Sequence, residues 1–421
     1  MKKLFSLCCI FMLFAVVLTA CDGGGSSSSS TADQNVTLKY SIWDKNQVPA
    51  LQTIVNNFEK THPKIKVSIQ VTPFAQYWTK LETAATGESL ADVFWMNGPN
   101  FQKYASNNII APIDNQINTD KVNLNNYPPA LVNLYTYQDK HYALPKDFDT
   151  IGLWYNKTLF DAAGVKYPDN TWTWQTLQDA AKKLTNPTKG VWGIAAPVSD
   201  QEGFYNTIPQ NGGFVISPDK KTSGFDDPAT MGGLKFWTDF IQSKSSPTQA
   251  QMTDTTPLTM FESGKIAMMY GGSWDAIEFH SNSYTKDKVA VSVLPQGKKR
   301  ATVIHGLGNV ISANTQYPQQ AWEFVNYLGS KDAADVQAKT GTVIPAYNGT
   351  QTQWVNAYPE FHLQSFIDEL PYAVPYPISK NTSAWVDTQN KVLTQVWAGQ
   401  LSLDTGAKKL ASQMNQELAK E

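Results

Sequence analysis

Residues 36–71, VTLKYSIWDKNQVPALQTIVNNFEKTHPKIKVSIQV, decide the fold class of this 421-residue chain. The segments Val36–Trp43 and Ile65–Val71 both predict strands, and in the second one apolar and polar side chains alternate strictly. Between them, apolar positions in 48–61 recur at helical spacing with Pro49 in the first turn, which predicts a helix. A strand, a helix and a second strand in this order predict a right-handed crossover between parallel strands.

The alternation of strand and helix continues along the chain. A helix at Tyr77–Thr86 and a short buried strand at Ala91–Trp95 complete a β-α-β-α-β unit, for which we expect a mainly parallel sheet. A second α/β region begins near residue 150, and helices dominate beyond residue 308. Further strands are predicted at Ile151–Tyr155, Val191–Ala195, Gly264–Tyr270 and Val289–Leu294, and further helices at Trp174–Leu184 (with Thr173 as N-cap), 319–328, 331–339 and several amphipathic stretches up to 419.

The composition disfavours several classes of function. Apolar residues make up 42% of the chain and charged residues 17%, which is typical of a folded protein rather than a disordered one. The net charge of −2 gives no electrostatic basis for nucleic-acid binding. Arg300 is the only arginine beside 33 lysines, whereas there are 13 tryptophans. Because anion sites favour the arginine fork and flat hydroxylated ligands favour aromatic faces, this composition disfavours a phosphate or carboxylate ligand.

The N-terminal segment predicts export and attachment to a membrane. A basic start precedes an apolar run, Leu4–Val17, that is too short to span a bilayer comfortably. The next four residues, Leu18–Cys21, resemble a bacterial lipobox, in which the signal is cleaved before the cysteine and lipid is attached to its sulfur. We therefore interpret residues 1–21 as a lipoprotein signal peptide with lipid attachment at Cys21. An ordinary secretory signal with an incidental cysteine is the alternative.

Cysteine usage and the segment after Cys21 agree with this interpretation. Cys8 and Cys9 lie in the part that would be removed, so Cys21 would be the only cysteine left, with no internal disulfide and no catalytic thiol. Residues 22–34 are rich in glycine and serine and predict a flexible tether with a reach of roughly 20 Å. We expect a monomeric body on the extracellular face of a bacterial cell membrane of the Gram-positive type, held there by the lipid anchor alone.

Four stretches resemble the extracellular solute-binding proteins of bacterial ABC importers, in particular the sugar-binding group that includes maltodextrin-binding protein. They are Leu38–Asp44 (LKYSIWD), Ala91–Trp95 (ADVFW), Leu144–Phe160 (LPKDFDTIGLWYNKTLF) and Phe261–Trp274 (FESGKIAMMYGGSW). The resemblance covers nearly the whole body and implies a two-lobe α/β fold of the periplasmic-binding-protein type II, with a hinge and a ligand cleft between the lobes. The lobe boundaries that we expect are 35–147 with 308–345 for lobe one, and 148–307 with 346–421 for lobe two.

The resemblance implies a receptor that is not an enzyme. We expect a neutral saccharide, and an oligosaccharide given the several aromatic candidates, to be captured by hinge closure and delivered to ABC permease subunits. No cofactor and no metal are expected, because the histidines are scattered and no HExxH, Cys/His cluster or phosphate-binding glycine loop occurs. Two alternatives stay open. One is a surface glycosidase or lectin-like lipoprotein, since a glycosidase needs only two suitably spaced carboxylates; the other is a binding protein for a polyol phosphate or a polyamine.

Aromatic candidates for ligand contact lie in loops at the carboxyl ends of strands, where ligands bind in open α/β sheets. Trp274 is the first, because two preceding glycines allow a tight turn and an indole face suits the C–H groups of a pyranose. In the family, the matching tryptophan stacks on sugar. Trp95 and Trp43 also end predicted strands, and Trp385 lies in a stretch, 371–386, that resembles a late aromatic contribution of the family. For each of the four, packing in the core is the alternative.

Polar candidates lie mainly in the same loops. Asp44, Asp147 and Asp149 can each accept two hydroxyl groups, which suits vicinal diols, and the resemblance places a sugar-binding carboxylate at Asp149. Because Asp147 and Asp149 are two residues apart in an extended segment, they point to one side. A solvated hinge or a salt bridge is the alternative for these carboxylates. The remaining candidates are Asn97, Asp275, Tyr205 and Glu202.

Overall fold

The computed structural model describes residues 35–421. The predicted signal peptide, the lipid-attachment residue Cys21 and the tether lie outside the described residues. The first part of the described chain contains β1 (Val36–Ile42), α1 (Val48–Thr61), β2 (Ile65–Val71), α2 (Phe74–Thr86), β3 (Val93–Asn97), α3 (Gly98–Ser106), α4 (Asp114–Thr119), α5 (Pro129–Leu134), β4 (Thr136–Tyr137), β5 (Lys140–His141) and β6 (Ala143–Pro145).

The middle part contains β7 (Asp147–Phe148), β8 (Ile151–Asn156), α6 (Lys157–Ala163), α7 (Trp174–Leu184), α8 (Tyr205–Gln210), α9 (Pro228–Gln242), α10 (Gln249–Asp254), α11 (Pro257–Glu262), β9 (Met268–Gly272), α12 (Asp275–Ser281) and β10 (Val289–Ser292). The last part contains β11 (Thr302–Ile304), β12 (Leu307–Ile311), α13 (Pro318–Leu328), α14 (Lys331–Lys339), β13 (Ile344–Pro345), α15 (Gln351–Val355), α16 (Gln364–Asp368), β14 (Ala373–Pro375), α17 (Thr382–Trp397) and α18 (Leu403–Leu418). Within residues 35–421, none of these helices combines the length and the apolar character needed to cross a membrane.

The first sheet has five strands in the order β2-β1-β3-β12-β6. β1 pairs in parallel with β2, from Val36 opposite Ile65 to Ile42 opposite Val71, and it also pairs in parallel with β3. The predicted β-α-β-α-β unit and its parallel pairing are thereby confirmed. β12 pairs antiparallel with both β3 and β6, so the complete sheet is mixed.

The second sheet has three strands in the order β10-β8-β9, and all of its pairings are antiparallel. The strand predicted at Val191–Ala195 is wrong, because this segment forms only isolated bridges, such as the one between Trp192 and Ile266. The backbone amide of Gly193 donates to the Thr185 hydroxyl at 3.0 Å. An amide that is bonded to the end of a helix cannot join a continuous strand ladder, although the local apolar pattern is that of a strand.

Two large apolar clusters surround the sheets. The first packs β1 and β2 against α1, α13 and α14, and Tyr40 meets Phe324 edge-on with ring centroids 5.2 Å apart. The second packs the other sheet against α7, α9, α17 and α18. β8 is buried on both faces, with Leu153 in the second cluster and Trp154 in the first. The helices beyond residue 308 are therefore shared between the two clusters rather than forming a unit of their own.

Three chain segments, which we call the crossing, run side by side where the chain passes from the first sheet to the second. β7 pairs with β13, and Asp149 forms a bridge with His305. The backbone amide of Lys146 donates to the Leu307 carbonyl at 2.9 Å, and the amide of Ala346 donates to the Lys146 carbonyl at 3.2 Å. These hydrogen bonds join parts of the chain that are about 160 to 200 residues apart in sequence.

Candidate functional site

The loop after β1 places Trp43 and Asp44 at one end of the first sheet. Trp43 is partly exposed and packs edge-on against Trp95, with ring centroids 4.9 Å apart. Asp44 begins a short 3-10 turn, because its carboxylate accepts from the Asn46 backbone amide at 2.8 Å and from the Gln47 side chain at 3.0 Å. Both carboxylate oxygens of Asp44 thus already have partners within the protein.

Trp95 and Asn97, at the end of β3, are both buried. The indole N–H of Trp95 donates to the Tyr40 hydroxyl at 2.6 Å, and the Lys146 ammonium lies 4.6 Å from the centre of the indole ring. Asn97 is the N-cap of α3, where its side chain accepts from the Asn100 backbone amide at 3.2 Å. This environment favours the core alternative for Trp95 and a capping role for Asn97.

Asp147 and Asp149 lie in the crossing, and both are buried. Asp147 forms an ion pair with Lys146 at 2.5 Å and accepts from the Leu307 backbone amide at 2.9 Å. Asp149 accepts from the Gln201 side chain at 2.7 Å. Asp147 therefore matches the salt-bridge alternative, whereas Asp149 is held by a neutral donor from the segment before α8.

His305 connects Asp149 to the first sheet. The Gly98 backbone amide donates to Nε2 of His305 at 3.0 Å, and Nδ1 lies 3.8 Å from a carboxylate oxygen of Asp149. Because Nε2 accepts a hydrogen bond, the proton of the neutral ring is on Nδ1, which faces the carboxylate. Burial raises the pKa of Asp149, and the neighbouring His305 counteracts part of that rise.

A π-type turn, Asp200–Phe204, holds Glu202 beside the second sheet. Gly203 in this turn has φ −113° and ψ −108°, outside the helical region, so the turn is irregular. Asp200 accepts from the Tyr376 hydroxyl at 2.7 Å. Burial, and after it the charge of Asp200, raises the pKa of Glu202 to about 7. Irregular turns of this kind are frequent at functional sites.

Asp275 begins α12, three residues after the end of β9. The residue is only 5% exposed, and its Oδ2 atom has no hydrogen-bond partner among residues 35–421. Burial, followed by the charges of Glu202 and Glu278, raises the pKa of Asp275 well above its usual value. Tyr270 on β9 is also buried, and within the described residues its hydroxyl has no partner either. The charged group that acts on the Tyr270 hydroxyl is Glu369, so the two unpartnered atoms have different charged neighbours.

Tyr270, Asp275 and Glu202 line one cavity of about 310 Å³. Trp237 provides an aromatic wall, and its indole N–H is already bonded to the Thr207 hydroxyl at 3.0 Å. The remaining lining is mainly small or apolar. A concave site with apolar walls and a few polar groups is the usual form of a small-molecule site.

Trp274 lies at the turn between β9 and α12 and is partly exposed. Its ring folds over Gly272, since a Cβ atom at that position would lie 2.2 Å from the indole. Only a glycine permits this approach, which explains the second glycine of the pair before the tryptophan. Part of the indole packs on the second cluster, and the rest remains accessible.

Tyr205 and Trp385 lie inside the second cluster, with exposures of 1% and 0%. The Tyr205 hydroxyl donates to the Gln389 side chain at 2.6 Å, and the Trp385 indole N–H donates to the Ser379 hydroxyl at 2.9 Å. Because both rings are enclosed and both polar atoms are bonded internally, the structure favours a role in the core for these two candidates.

The structure thus brings Asp149, Glu202 and Asp275 into one electrostatic neighbourhood, since the charge of Asp149 raises the pKa of Glu202, and that of Glu202 raises the pKa of Asp275. Sequence reasoning missed Tyr270, although it directly precedes the Gly-Gly pair of the motif at the end of a strand. It also missed His305, for which no local signal exists, because its partner Gly98 is 207 residues away. Among residues 35–421, no three His, Cys, Asp or Glu side chains are grouped so that they could hold a metal ion.

Comparisons with known proteins agree on one family. The model of the family described as bacterial extracellular solute-binding protein matches residues 44–335. The multiple sugar-binding protein of Streptococcus mutans is 24% identical over 75% of this chain and 76% of its own length. The maltotriose-binding protein of Pyrococcus abyssi is 25% identical over 69% of this chain and 62% of its own length.

Solved structures agree with the fold. An ABC substrate-binding protein from Listeria monocytogenes in complex with cycloalternan matches 91% of this chain and 99% of its own, with a TM-score of 0.86 and 28% identity. The predicted α/β fold of the periplasmic-binding-protein type is thereby confirmed.

Proposed function

Because this chain belongs to the family of bacterial extracellular solute-binding proteins, whose members bind solutes and are not enzymes, we propose that it captures a neutral saccharide, in particular an oligosaccharide, for an ABC importer. The relatives support this ligand class: those cited above are named for multiple sugars and maltotriose, and the Listeria protein is in complex with cycloalternan. Release of the ligand to permease subunits completes the proposed role.

The observation that carries the proposal is the position of Trp274 next to the cavity. A partly exposed indole offers a large apolar face on which the C–H groups of a pyranose ring can pack. The next residue, Asp275, has a buried carboxylate oxygen that lacks a partner among residues 35–421. An apolar face next to a free hydrogen-bonding group matches the two kinds of surface on a sugar.

We also propose the division into two lobes, 35–147 with 308–345 and 148–307 with 346–421, joined at the crossing. Two separate sheets support it, since β12 returns to the first sheet while β8, β9 and β10 form the second. One detail differs from simple boundaries, because α15, in the part proposed for lobe two, packs against α14 and β13. Closure of the lobes on the ligand would bend the chain at the crossing.

Attachment to the outer face of the cell membrane through a lipid on Cys21 is part of the same proposal, supported by the basic start, the apolar run and the lipobox-like residues before Cys21. The protein is proposed to be a monomer whose only membrane contact is this anchor. Expression of the full chain in a bacterial host with radiolabelled palmitate should label the wild type. The Cys21→Ala variant should be unlabelled and released into the medium, and equal labelling of both proteins would contradict the anchor.

The ligand class is tested by thermal shift with a panel of mono- and oligosaccharides, glycerol 3-phosphate and spermidine. A ligand present at 100 times its Kd should raise the free energy of unfolding by about 2.7 kcal/mol. We expect stabilisation by one or more neutral saccharides. Stabilisation by spermidine or glycerol 3-phosphate alone would replace the sugar proposal. Chromatography of the incubated sugars should show them unchanged, and the appearance of shorter sugars would instead indicate a glycosidase.

A further inference from the structure

The 3-10 turn after β1, Lys45–Gln47, makes a side-chain contact with α12. The side-chain amide of Asn46 donates to Oε2 of Glu278 at 3.4 Å, and the two residues are 232 positions apart in sequence. Both residues are half-buried. Asn46 lies in the part proposed for lobe one, Glu278 lies in the part proposed for lobe two, and neither belongs to the crossing. This hydrogen bond therefore joins the two proposed lobes at a second place.

The turn is fixed on the side of the first sheet. The Asp44 carboxylate accepts from the Asn46 backbone amide at 2.8 Å and from the Gln47 side chain at 3.0 Å. The buried Lys146 ammonium donates to Oε1 of Gln47 at 2.9 Å. These bonds leave the side chain of Asn46 for its contact with Glu278. The turn is thus held in place before it meets α12, which lowers the entropy cost of the contact.

The charges of the turn both oppose and favour its approach to the second half of the molecule. The carboxylate of Asp44 acts on that of Asp275, and these like charges repel each other. Burial, and after it the charge of Glu278, raises the pKa of Glu262, whereas the charge of Lys45 acts in the opposite direction. Because Lys45 is exposed, dissolved salt screens this attraction. The approach therefore includes a repulsion that the hydrogen bond of Asn46 and the charge of Lys45 offset.

The contact between the turn and α12 depends on how the proposed lobes are arranged. A bend of the chain at the crossing would carry the turn with the first sheet and α12 with the second, and would separate them. A bond that forms only in the closed arrangement shifts the equilibrium towards that arrangement by its own free energy. Because a ligand between the lobes leaves after they open, such a bond slows its dissociation.

We infer that Asn46 and Glu278 form a latch that holds the proposed lobes closed over a bound ligand and thereby sets the rate of ligand release. Lys45 adds a weaker, salt-sensitive attraction to Glu262. Because the latch acts on the closed arrangement of the protein, its loss should speed the release of different saccharides by the same factor. The inference rests on the proposed function and on the proposed division into lobes.

The test measures association and dissociation rates by stopped-flow tryptophan fluorescence, with the two neutral saccharides that stabilise the protein most in the panel. Asn46→Ala should raise the dissociation rate constant of both about threefold to tenfold, and leave the association rate constant within about twofold. Glu278→Ala should have the same effect. The double variant should dissociate no faster than the faster single variant, because both substitutions remove one and the same bond.

Two further variants separate the hydrogen bond from the charges. Glu278→Gln keeps an oxygen that can accept from Asn46, so it should release the saccharides more slowly than Glu278→Ala does. Raising the salt concentration should speed release from the wild type more than from Lys45→Met, since that variant lacks the screened attraction. Equal salt dependence of the two proteins would remove Lys45 from the latch.

Matched controls carry similar bonds within one helix. Asn57 accepts from Lys60 at 3.3 Å within α1, and Glu323 accepts from the Gln319 side chain at 3.2 Å within α13. Asn57→Ala and Glu323→Ala should leave both rate constants at their wild-type values. A comparable increase of the dissociation rate constant in these controls would overturn the latch, because neither bond joins the proposed lobes.

The possible failures can be told apart. If the wild type binds no saccharide, both the proposed function and the latch are overturned. If saccharides bind and Asn46→Ala and Glu278→Ala release them at the wild-type rate, the latch alone is overturned. The same holds if these variants only lower the melting temperature of the ligand-free protein, or if they affect one saccharide and not the other, as a direct ligand contact would. Circular dichroism checks the folding of each variant, and either single variant is sufficient to decide.

Discussion

The two ends of the site use their polar residues differently. Beside the first sheet, Asp44 and Asn97 accept hydrogen bonds from nearby backbone amides and begin helical turns. Beside the second sheet, Asp275 and Tyr270 are buried, yet each has a polar atom that lacks a partner among residues 35–421. Side chains of similar chemistry thus stabilise the fold in one place and stay available in the other.

This difference shows which polar residues indicate a ligand site. A capping aspartate or asparagine contributes about 1 kcal/mol to its turn and needs no ligand to explain it. A buried acceptor without a partner lowers stability by about 1–3 kcal/mol, so a fold keeps it where something else can satisfy it. We therefore place the discriminating contacts beside β9, and regard the side of β1 and β3 as a preformed wall.

The largest change in stability is expected for a variant that breaks the buried ion pair of the crossing. Lys146→Met leaves the Asp147 carboxylate buried without its cation, at side-chain exposures of 2% and 5% for the pair. We expect the free energy of unfolding to fall by about 3–5 kcal/mol, measured by urea denaturation with tryptophan fluorescence. Lys235→Met is the control, because the exposed pair of Lys235 with Asp239 contributes less than about 1 kcal/mol. Equal effects would show that the crossing does not bury this charge.

The second largest effect is expected on the pH dependence of stability, through Glu369, a further buried carboxyl in the second half of the chain. Burial raises its pKa to about 8, while hydrogen bonds from Leu294 and the charge of Arg300 partly oppose the rise. The folded protein therefore holds a proton that the unfolded chain releases near pH 4.5. The stability that this group contributes is complete below pH 4.5 and is lost as the pH rises from there through 8, with a slope of about 1.4 kcal/mol per pH unit.

Glu369→Gln should remove this slope, so that wild type and variant differ less at pH 5 than at pH 9, where the variant is the more stable. Melting temperatures at half-unit pH steps measure the difference. Because the wild type is compared with the variant, the titration of Glu202 and Asp275 cancels. A constant difference from pH 5 to pH 9 would mean that Glu369 is charged in the folded state.

A smaller effect, on ligand affinity, is expected for Trp274, the proposed stacking residue. Trp274→Ala should weaken binding of the best neutral saccharide by roughly tenfold, which is about 1–2 kcal/mol, with little change in melting temperature because the indole is partly exposed. Trp174→Ala is matched for partial burial, and Trp174 packs on Phe236 with ring centroids 4.4 Å apart. The control should leave binding unchanged. If Trp274→Ala binds normally, this residue belongs to the core.

The smallest effect on stability and affinity is expected at the preformed wall beside β1 and β3. Asp44→Ala removes the cap of the 3-10 turn, so we expect about 1 kcal/mol less stability and an affinity within threefold of the wild type. Urea denaturation and calorimetry measure the two quantities. A tenfold loss of affinity at unchanged stability would instead make Asp44 a ligand contact, as the sequence pattern predicts, and would remove the distinction between the two sides.

Local structure was largely predictable because the periodicity of apolar side chains reflects one buried face. The helix predicted at 48–61 is α1, with the same bounds, and Thr173 caps α7 by accepting from the Thr176 amide, as predicted. Val191–Ala195 was mispredicted, because a buried loop and a buried strand share the same apolar run and differ only in the partners of their amides.

The candidate site was predicted less completely. The motif before Trp274 identified the turn, and the position of Asp275 next to it was visible in the sequence. The burial of Trp95 and Trp385 was not visible in the sequence. An aromatic residue at the end of a strand or on a helix has the same local pattern whether it faces a cleft or the core.

The sequence by itself determined which segments become helices and strands, the parallel β-α-β-α-β unit, and the glycine turn that carries Trp274, since each depends on side chains within a few turns of one another. Only the tertiary structure decided that β12 returns antiparallel beside β3, that His305 accepts from Gly98, and that Asp275 and Tyr270 lack partners among residues 35–421. The reason is physical. Whether a buried polar atom has a hydrogen-bond partner depends on groups that packing brings close from distant parts of the chain, and the local sequence does not indicate which groups these are.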